Sequence, residues 1–390
     1  MALPWSPALL TAVLYALFLV LRLCQPGMDL SRFVTAGDRF SNPAEVPESL
    51  SVLRNQDGYD GQFYYRLALD PFTAERREFG IELDNPMYRH QRILYPVLVW
   101  ALSRGDPQAA LRWMVGVNFA ALCLLGWIGG LLARSAGASA LSGLVFAFYP
   151  GFLLTLSRNL VEIVAACVLF AALLLLRQRR HVGAMVLLAL AALAKETTLL
   201  VSVALLLLWL VGVAGGRGTE ARDRPGSVPP YVGLVPILTY ASWQCLLAVN
   251  WEHSVSAVLA GRHHGSFNLG PPFQGLGEFL LASFAPPLSF RRLIEVFFML
   301  AFTVAVFGHL RRSGAAAHEK LSWALYVGLA CLLTHAVWVE DWAFLRALSE
   351  FYGLGALVLL QAGPWPARLA LAGAGALWGV LCLLLLTGRL

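Results

Sequence analysis

Two aspartates hinged by glycines and followed by tyrosines stand in one polar island of an otherwise apolar chain: Asp57-Gly58-Tyr59-Asp60-Gly61-Gln62-Phe63-Tyr64-Tyr65. A carboxylate held beside a membrane-embedded surface is expensive and is rarely kept without use. Such a group can take a proton from a hydroxyl as general base. If the chain turns helical at Asp60, Tyr64 falls on the same face four residues on. Gly58 and Gly61 permit unusual backbone angles or close approach. The competing reading is a turn in which Asp57 or Asp60 caps a helix N-terminus.

A second motif, Tyr88-Arg89-His90-Gln91-Arg92-Ile93-Leu94-Tyr95-Pro96, stands where the polar region returns to apolar sequence. Forked guanidinium groups suit phosphate oxygens, so Arg89 and Arg92 could clamp a phosphate. Alternatively they snorkel to lipid headgroups. Charges also mark the edges of apolar runs in Arg158-Asn159-Leu160-Val161-Glu162, Lys195-Glu196-Thr197-Thr198 and Glu340-Asp341-Trp342-Ala343-Phe344-Leu345-Arg346. Lys195 could meet a phosphate or pair with Glu196 or Glu162, and Arg346 is a further phosphate candidate. His253, Arg262, His263, His264 and Glu278 share the loop from Trp251 to Arg292. Adjacent histidines lack the i,i+4 spacing of a helical metal site. With no GxxxxGK[ST] and no Gly-rich dinucleotide loop, a cytoplasmic nucleotide site has no support.

These residues need a scaffold, and the composition is that of a membrane one. Of 390 residues, 58% are hydrophobic and 13% charged, against roughly 25% charged in ordinary globular domains. The net charge of +6 is scattered over short loops, which argues against a nucleic-acid surface and matches the cationic bias of cytoplasmic loops. Six cysteines, mostly inside apolar runs and without a CxxC pair, read as small buried thiols. A span takes about 20 apolar residues. The candidate runs are about 7–24, 108–133, 138–157, 160–176, 181–195, 197–214, 231–250, 293–310, 321–338, 347–362 and 369–387. The short run 181–195 reads as tilted, or as half of a broken helix. Helices are required, because a lone strand leaves its backbone unsatisfied in lipid.

The expected fold is therefore all-α: a polytopic transmembrane helical bundle of about 11 spans, one membrane-embedded domain over 1–390, with 25–92 as a large first extracytoplasmic loop. Pro7 to Leu23 reads as a retained anchor, since no basic segment precedes it and no clear cleavage site follows. With a cytoplasmic N-terminus, the clusters Arg177/Arg179/Arg180, Arg217/Arg222/Arg224 and Arg311/Arg312/Lys320 all fall on the cytoplasmic side. The same arrangement gathers Asp57, Asp60, Arg158, Glu162, Lys195, Glu196 and Arg346 near the outer face. Trp338 and Trp342 read as an interfacial aromatic belt.

On these residues the chain resembles the GT-C superfamily, the polytopic glycosyltransferases that use polyprenyl-phosphate sugars. Members carry an essential aspartate on a large outer loop after the first span. Tyr59-Asp60-Gly61-Gln62-Phe63-Tyr64-Tyr65 followed by Arg89-His90-Gln91-Arg92-Ile93-Leu94-Tyr95-Pro96 looks like a bacterial branch, distantly similar to the mannosyltransferases that build glycolipid anchors. Asn159-Leu160-Val161-Glu162 and Lys195-Glu196-Thr197 sit where similar short motifs recur, so the likeness covers roughly residues 7 to 362. The resemblance implies an inverting glycosyltransferase of the bacterial inner membrane. It would move a sugar from a polyprenyl-phosphate donor to a lipid, glycan or protein acceptor, with Asp60 as catalytic base. Asp57, Gln62, Tyr64, Arg89, His90, Arg92, Arg158, Glu162, Lys195, Glu196 and Arg346 would bind substrate, with Arg89, Arg92, Lys195 or Arg346 facing the lipid phosphate. No organic cofactor and no metal ligand is implied, and a divalent cation is left open. The chain departs from larger members in lacking a soluble C-terminal domain and the second Asp-Asp or Asp-Glu pair that some carry. Two other classes stay open: a transporter or flippase of lipid-linked sugars, against which the absence of repeat halves counts, and a non-catalytic membrane subunit.

Overall fold

Helix α1 (Ser6–Leu23) shows which solvent the molecule is built for. Pro7, Thr11, Tyr15 and Phe18 are buried, while Leu9, Val13, Leu17 and Val20 lie exposed. Both stripes follow the three-to-four-residue helical spacing, and the outward one is as apolar as the inward one. That pattern suits lipid rather than water. The computed structural model describes residues 3–214, 228–251, 268–284, 290–339 and 343–388.

After α1 the chain forms two small ribbons, Ala36–Gly37 parallel to Val52–Leu53 and Arg77–Glu78 antiparallel to Ile81–Glu82. These are a minor departure from an all-α expectation. Between and after them lie α2 (Gly61–Leu69), α3 (Pro86–His90) and α4 (Leu94–Ser103). The apolar runs follow as α5 (Pro107–Ser135), the bent pair α6 (Leu144–Ala147) and α7 (Gly151–Ser157), α8 (Glu162–Arg177), α9 (His181–Ala194), α10 (Leu199–Gly212) and α11 (Tyr231–Asn250). The chain ends through α12 (Gln274–Phe284), α13 (Phe290–His309), α14 (Ala317–Leu332), α15 (His335–Val339), α16 (Ala343–Ala347), α17 (Ser349–Ala362) and α18 (Pro364–Leu386). The stretch 251–292, read as a loop, thus contains helix α12.

Among the described residues, four helices (α1, α5, α11 and α18) are long and apolar enough to cross a membrane, or five with the pair bent by 56° at Phe148–Pro150. The chain is a helical membrane protein. Most of the other runs are helical but shorter: α9 and α10 hold 14 residues each, α8 and α14 hold 16. At 1.5 Å per residue such helices reach about 21–24 Å, short of a hydrocarbon core of about 30 Å. Breaks explain the difference. Lys195 is extended between α9 and α10, and Leu333 interrupts the run 321–338.

Helix pairings run α1–α5–α8–α9–α11–α10–α14–α17–α18 and return to α1. Within this ring α17 is buried from Ser349 to Leu360, as expected of a helix apolar on every side. Trp338 belongs to the core as well, stacked on Phe279 and Phe344. It is therefore a packing residue and not part of an interfacial belt, and Trp342 lies outside the described residues. All six cysteines are free.

Helix α8 fixes the two ends of the bundle. Its first residue, Glu162, meets Arg346, while its last, Arg177, forms a two-pronged pair with Glu319 at 2.7–2.8 Å. The basic clusters around 177–180 and 311–320 therefore share one end, and the charged residues near Asp60 share the other. The 217–224 cluster lies outside the described residues. Arg22 and Gln25 donate to the Leu385 and Leu386 carbonyls, so α1 and α18 finish at a common end.

The 25–92 segment is inserted into the bundle rather than draped over it. Every residue of α2 is buried, and α2 packs on α4 and α5. Gln62 stitches the insertion together: its Oε1 accepts from the Gly37 amide and Ser41 hydroxyl, and its Nε2 donates to the Asp57 carbonyl. Both glycines of the first motif are needed. Gly58 has φ +74°, and a Cβ on Gly61 would stand 2.3 Å from the Arg158 carbonyl oxygen. Gly61→Ala is expected to destabilise the protein by about 1–3 kcal/mol through this overlap. A lowered midpoint of thermal unfolding in detergent checks it, with Gly137→Ala, which meets only open space but has φ +71°, as a control for backbone strain alone.

Candidate functional site

Asp60 holds the position before the first residue of α2 yet makes no capping bond. Its Oδ1 accepts from Arg89 Nη1 at 2.8 Å and its Oδ2 from Arg346 Nη2 at 3.2 Å. Asp57 does not cap either. It pairs with Arg39 at 3.0 Å in solvent, where such a pair contributes little. The capping reading therefore fails for both aspartates, and only Asp60 faces the bundle.

Local chemistry explains how the arginines arrive. Asn85 caps α3 by accepting from the Tyr88 amide, and Pro86 fills the first turn. The resulting turn brings Arg89 back onto Asp84, with Nε–Oδ1 at 2.8 Å and Nη2–Oδ2 at 2.7 Å. Arg92, one turn later, forks onto Glu196 at 2.9 and 2.6 Å, and its Nη1 lies 3.5 Å from the Tyr64 hydroxyl. From the far end of the chain, Arg346 on α16 reaches Glu162 at 3.0 Å and the Tyr59 hydroxyl at 3.2 Å as well as Asp60. Aromatic faces wall the cluster. Arg89 lies 4.3 Å from the Phe63 ring centre, Arg89 and Arg92 lie 5.1 and 5.0 Å from that of Tyr88, and Arg158 lies 4.3 Å from that of Tyr59.

The site is nearly charge-balanced. Guanidinium groups of Arg89, Arg92 and Arg346 face the carboxylates of Asp60, Asp84, Glu162 and Glu196, with Arg158 beside them. Each carboxylate meets a guanidinium. Among the described residues no three His, Cys, Asp or Glu side chains converge in a way that could hold a metal ion. Of the histidine-bearing stretch, His253, Arg262, His263 and His264 lie outside the described residues. Glu278 belongs to α12 and faces His335 at 3.2 Å. Glu340 and Asp341 also lie outside the described residues.

Lys195 stands behind the cluster. Its ammonium meets Glu350 at 2.8 Å and the Ala347 carbonyl at 2.9 Å, fully shielded from solvent. It pairs with neither Glu196 nor Glu162, as the sequence had suggested. An extended backbone at Lys195 (φ −160°, ψ 124°) sends consecutive side chains to opposite sides, Lys195 towards α17 and Glu196 towards Arg92.

The structure thus brings together Asp60, Tyr64, Arg89, Arg92, Arg158, Glu162, Glu196 and Arg346, with Lys195 one layer deeper. Asp57 and Gln62 serve the loop's own architecture. His90 turns away, its Nδ1 on the Pro86 carbonyl and its ring 5.4 Å from Trp251. Sequence reasoning missed Asp84 and Glu350 as partners. Asp84 carried a faint signal, an Asp-Asn-Pro start to the helix that bears Arg89, whereas Glu350 carried none.

Burial pushes the Asp60 carboxyl up, but Arg89, Arg346 and Arg92 outweigh it and hold the group well below the usual carboxylate range. In this resting arrangement Asp60 is ionised and a weak proton acceptor. Burial lowers the His90 imidazole from 6.5 to about 4, partly opposed by the Pro86 carbonyl. No family model, curated protein or solved structure matches the chain.

Two outcomes follow from these pairings. Lys195→Met should cost about 3–5 kcal/mol because it strands a buried carboxylate, while Lys195→Met with Glu350→Met should recover most of that loss. Thermal unfolding of the single and double variants decides. His90 is neutral when folded and binds a proton near 6.5 when unfolded, so the unfolded chain holds more protons between those values. Stability should fall as pH drops from about 6.5 to 4, and Asp60 should add a second loss as pH falls below about 4. Melting curves across this range should show the first step vanish in His90→Gln and the second persist.

Proposed function

We propose that the protein is a GT-C-type glycosyltransferase of about eleven membrane spans, using a polyprenyl-phosphate sugar at the face opposite its basic loops. The observation that carries this reading is the convergence of Asp60 with Arg89 and Arg346. A carboxylate suited to activating a hydroxyl stands beside forked cations suited to a phosphate. Support for the topology comes from α8, which separates this cluster from the Arg177–Glu319 end by its 16 residues. The positive-inside rule assigns the basic end to the cytoplasm and the cluster to the outer side. Broken and short helices such as α9 and α10 are read as two spans that the extended residue Lys195 shortens.

In the reaction the acceptor hydroxyl oxygen attacks the anomeric carbon of the donor sugar. Its proton passes to the Asp60 carboxylate. The bond between the anomeric carbon and the phosphate oxygen breaks, and its electron pair leaves on that oxygen, giving polyprenyl phosphate. Negative charge grows on the phosphate in the transition state, where Arg346 and Arg89 oppose it. A stable phosphate leaving group needs no protonation, so one carboxylate serves. An apolar cleft of about 450 Å³ lined by Phe284, Leu293, Ile294, Val296, Phe297 and Leu300 offers the isoprenoid tail a lipid-facing surface. It adjoins α12, whose Phe279 packs on Phe344, two residues from Arg346.

Asp60→Asn should lower sugar transfer by about 100- to 10,000-fold, the usual weight of a positioned general base. Mass spectrometry of products formed by the purified protein from polyprenyl-phosphate sugars measures it. Full transfer by a folded Asp60→Asn protein removes Asp60 as the base. Lipid movement without covalent product by the unaltered protein favours a flippase.

A further inference from the structure

The cluster contains a conflict that the transferase reading leaves open. The residue best placed as base is held by two arginines, and the arginines best placed for a phosphate are held by carboxylates. An incoming phosphate meets no spare cation among Arg89, Arg92 and Arg346 and must compete for one. The three arginines are not equally held. Arg89 makes a two-pronged pair with Asp84, and Arg92 makes one with Glu196, with every bond at 2.6–2.9 Å. Among the described residues Arg346 makes single bonds, each to a different group, at 3.0–3.2 Å. Forked pairs are the stronger and more directional kind.

Exposure points the same way. The Asp60 and Arg346 side chains retain 19% and 12% of their surface, whereas Glu162 retains 1%. Of the two carboxylate contacts of Arg346, the one with Asp60 is therefore the more accessible to solvent or a headgroup, and the one with Glu162 is anchored. Tyr59 stays beside Arg346 through either arrangement, since its hydroxyl takes the Nε proton rather than the exposed edge.

We propose that Arg346 is an exchangeable arm: a lipid-borne phosphate displaces Asp60 from its Nη2, so that headgroup binding itself frees the carboxylate to act. Resting on the transferase reading, this assigns Arg346 to the phosphate and Arg89 to Asp60, which it keeps oriented through the 2.8 Å bond to Oδ1. The freed Oδ2 then faces the acceptor hydroxyl. Loss of one cationic neighbour and arrival of an anion both favour protonation of a carboxylate, so Asp60 gains basicity only when a donor is present. Without donor the base is quenched.

The exchange makes Asp60 a competitor of the phosphate, and that gives a test opposite in sign to loss of a binding residue. The full-length protein in phosphatidylcholine nanodiscs is titrated with polyprenyl monophosphate, and occupancy is read by native mass spectrometry. Asp60→Asn should bind about tenfold tighter than the unaltered protein, the weight of one charge-assisted hydrogen bond. Glu162→Gln, which removes the other carboxylate on Arg346, should also bind more tightly and serves if Asp60→Asn does not fold. Arg346→Gln should bind about tenfold more weakly and should abolish the gain from Asp60→Asn in the double variant. Equal or weaker binding by folded Asp60→Asn and Glu162→Gln overturns the exchange, as does absence of binding by the unaltered protein. Inorganic phosphate is titrated in parallel. Tightening towards it as well supports exchange at the oxyanion itself, and tightening towards the polyprenyl ester alone supports exchange by lipid-borne phosphate. Sugar transfer from polyprenyl-phosphate sugars, assayed separately on the same proteins, separates the two ideas. Transfer without tightening overturns the exchange and leaves the transferase, whereas tightening without any transfer overturns the transferase and leaves the exchange.

Discussion

The shared ion pair of Asp60 with Arg89 and Arg346 is the constraint around which the rest is arranged. Asp60 and Arg346 are 286 residues apart in sequence, so their contact requires the inserted loop and the last third of the chain to meet. A largely shielded carboxylate is best tolerated when paired, because removing a partner leaves an uncompensated charge. Several local features serve this one requirement. The glycine at 61 lets α2 press against the Arg158 carbonyl. The Asn85 cap starts α3 so that Arg89 can reach both Asp84 and Asp60. Helix α17, buried from Ser349 to Leu360, follows directly on the short α16 from which Arg346 extends.

Arginine rather than lysine is required at these positions. A guanidinium can face two acceptors through different nitrogens without losing its planar geometry, as Arg89 does with Asp84 and Asp60. It also sits over aromatic faces, which Phe63, Tyr59 and Tyr88 supply. A lysine ammonium could hold one carboxylate but would not bridge and stack together. The only lysine of the region, Lys195, has the task that suits a point charge: a buried contact with Glu350 and one carbonyl.

Much of the scaffold was legible in the sequence because it follows from solvent. Eleven apolar runs became helices, since backbone in lipid has few other ways to satisfy itself. The first two polar motifs were legible too, because aspartate, glycine and arginine at membrane edges stand out against leucine and alanine. Their pairing was not. Asp84 is marked only faintly, by the Asp-Asn-Pro start of the helix that bears Arg89, and Glu350 carries no local mark of Lys195, because which cation a buried carboxylate meets is decided by tertiary packing. The side to which His90 turns was hidden for the same reason. Lengths misled where breaks intervene: the run through Lys195 is apolar on both sides, and only the extended residue between the helices shortens each of them.

That break does more than shorten two helices. A continuous helix would place Lys195 and Glu196 about 100° apart on one cylinder, too close in direction to serve separate partners. The extended residue instead sends them to opposite sides, and each finds a different part of the chain: Glu350 at the start of α17 and Arg92 before α4. The short turn thereby ties the inserted loop to the helix beside Arg346. Arg92 and Arg346 are both positioned from this one point. A displacement of the turn would therefore disturb Arg92 and the start of α17 together.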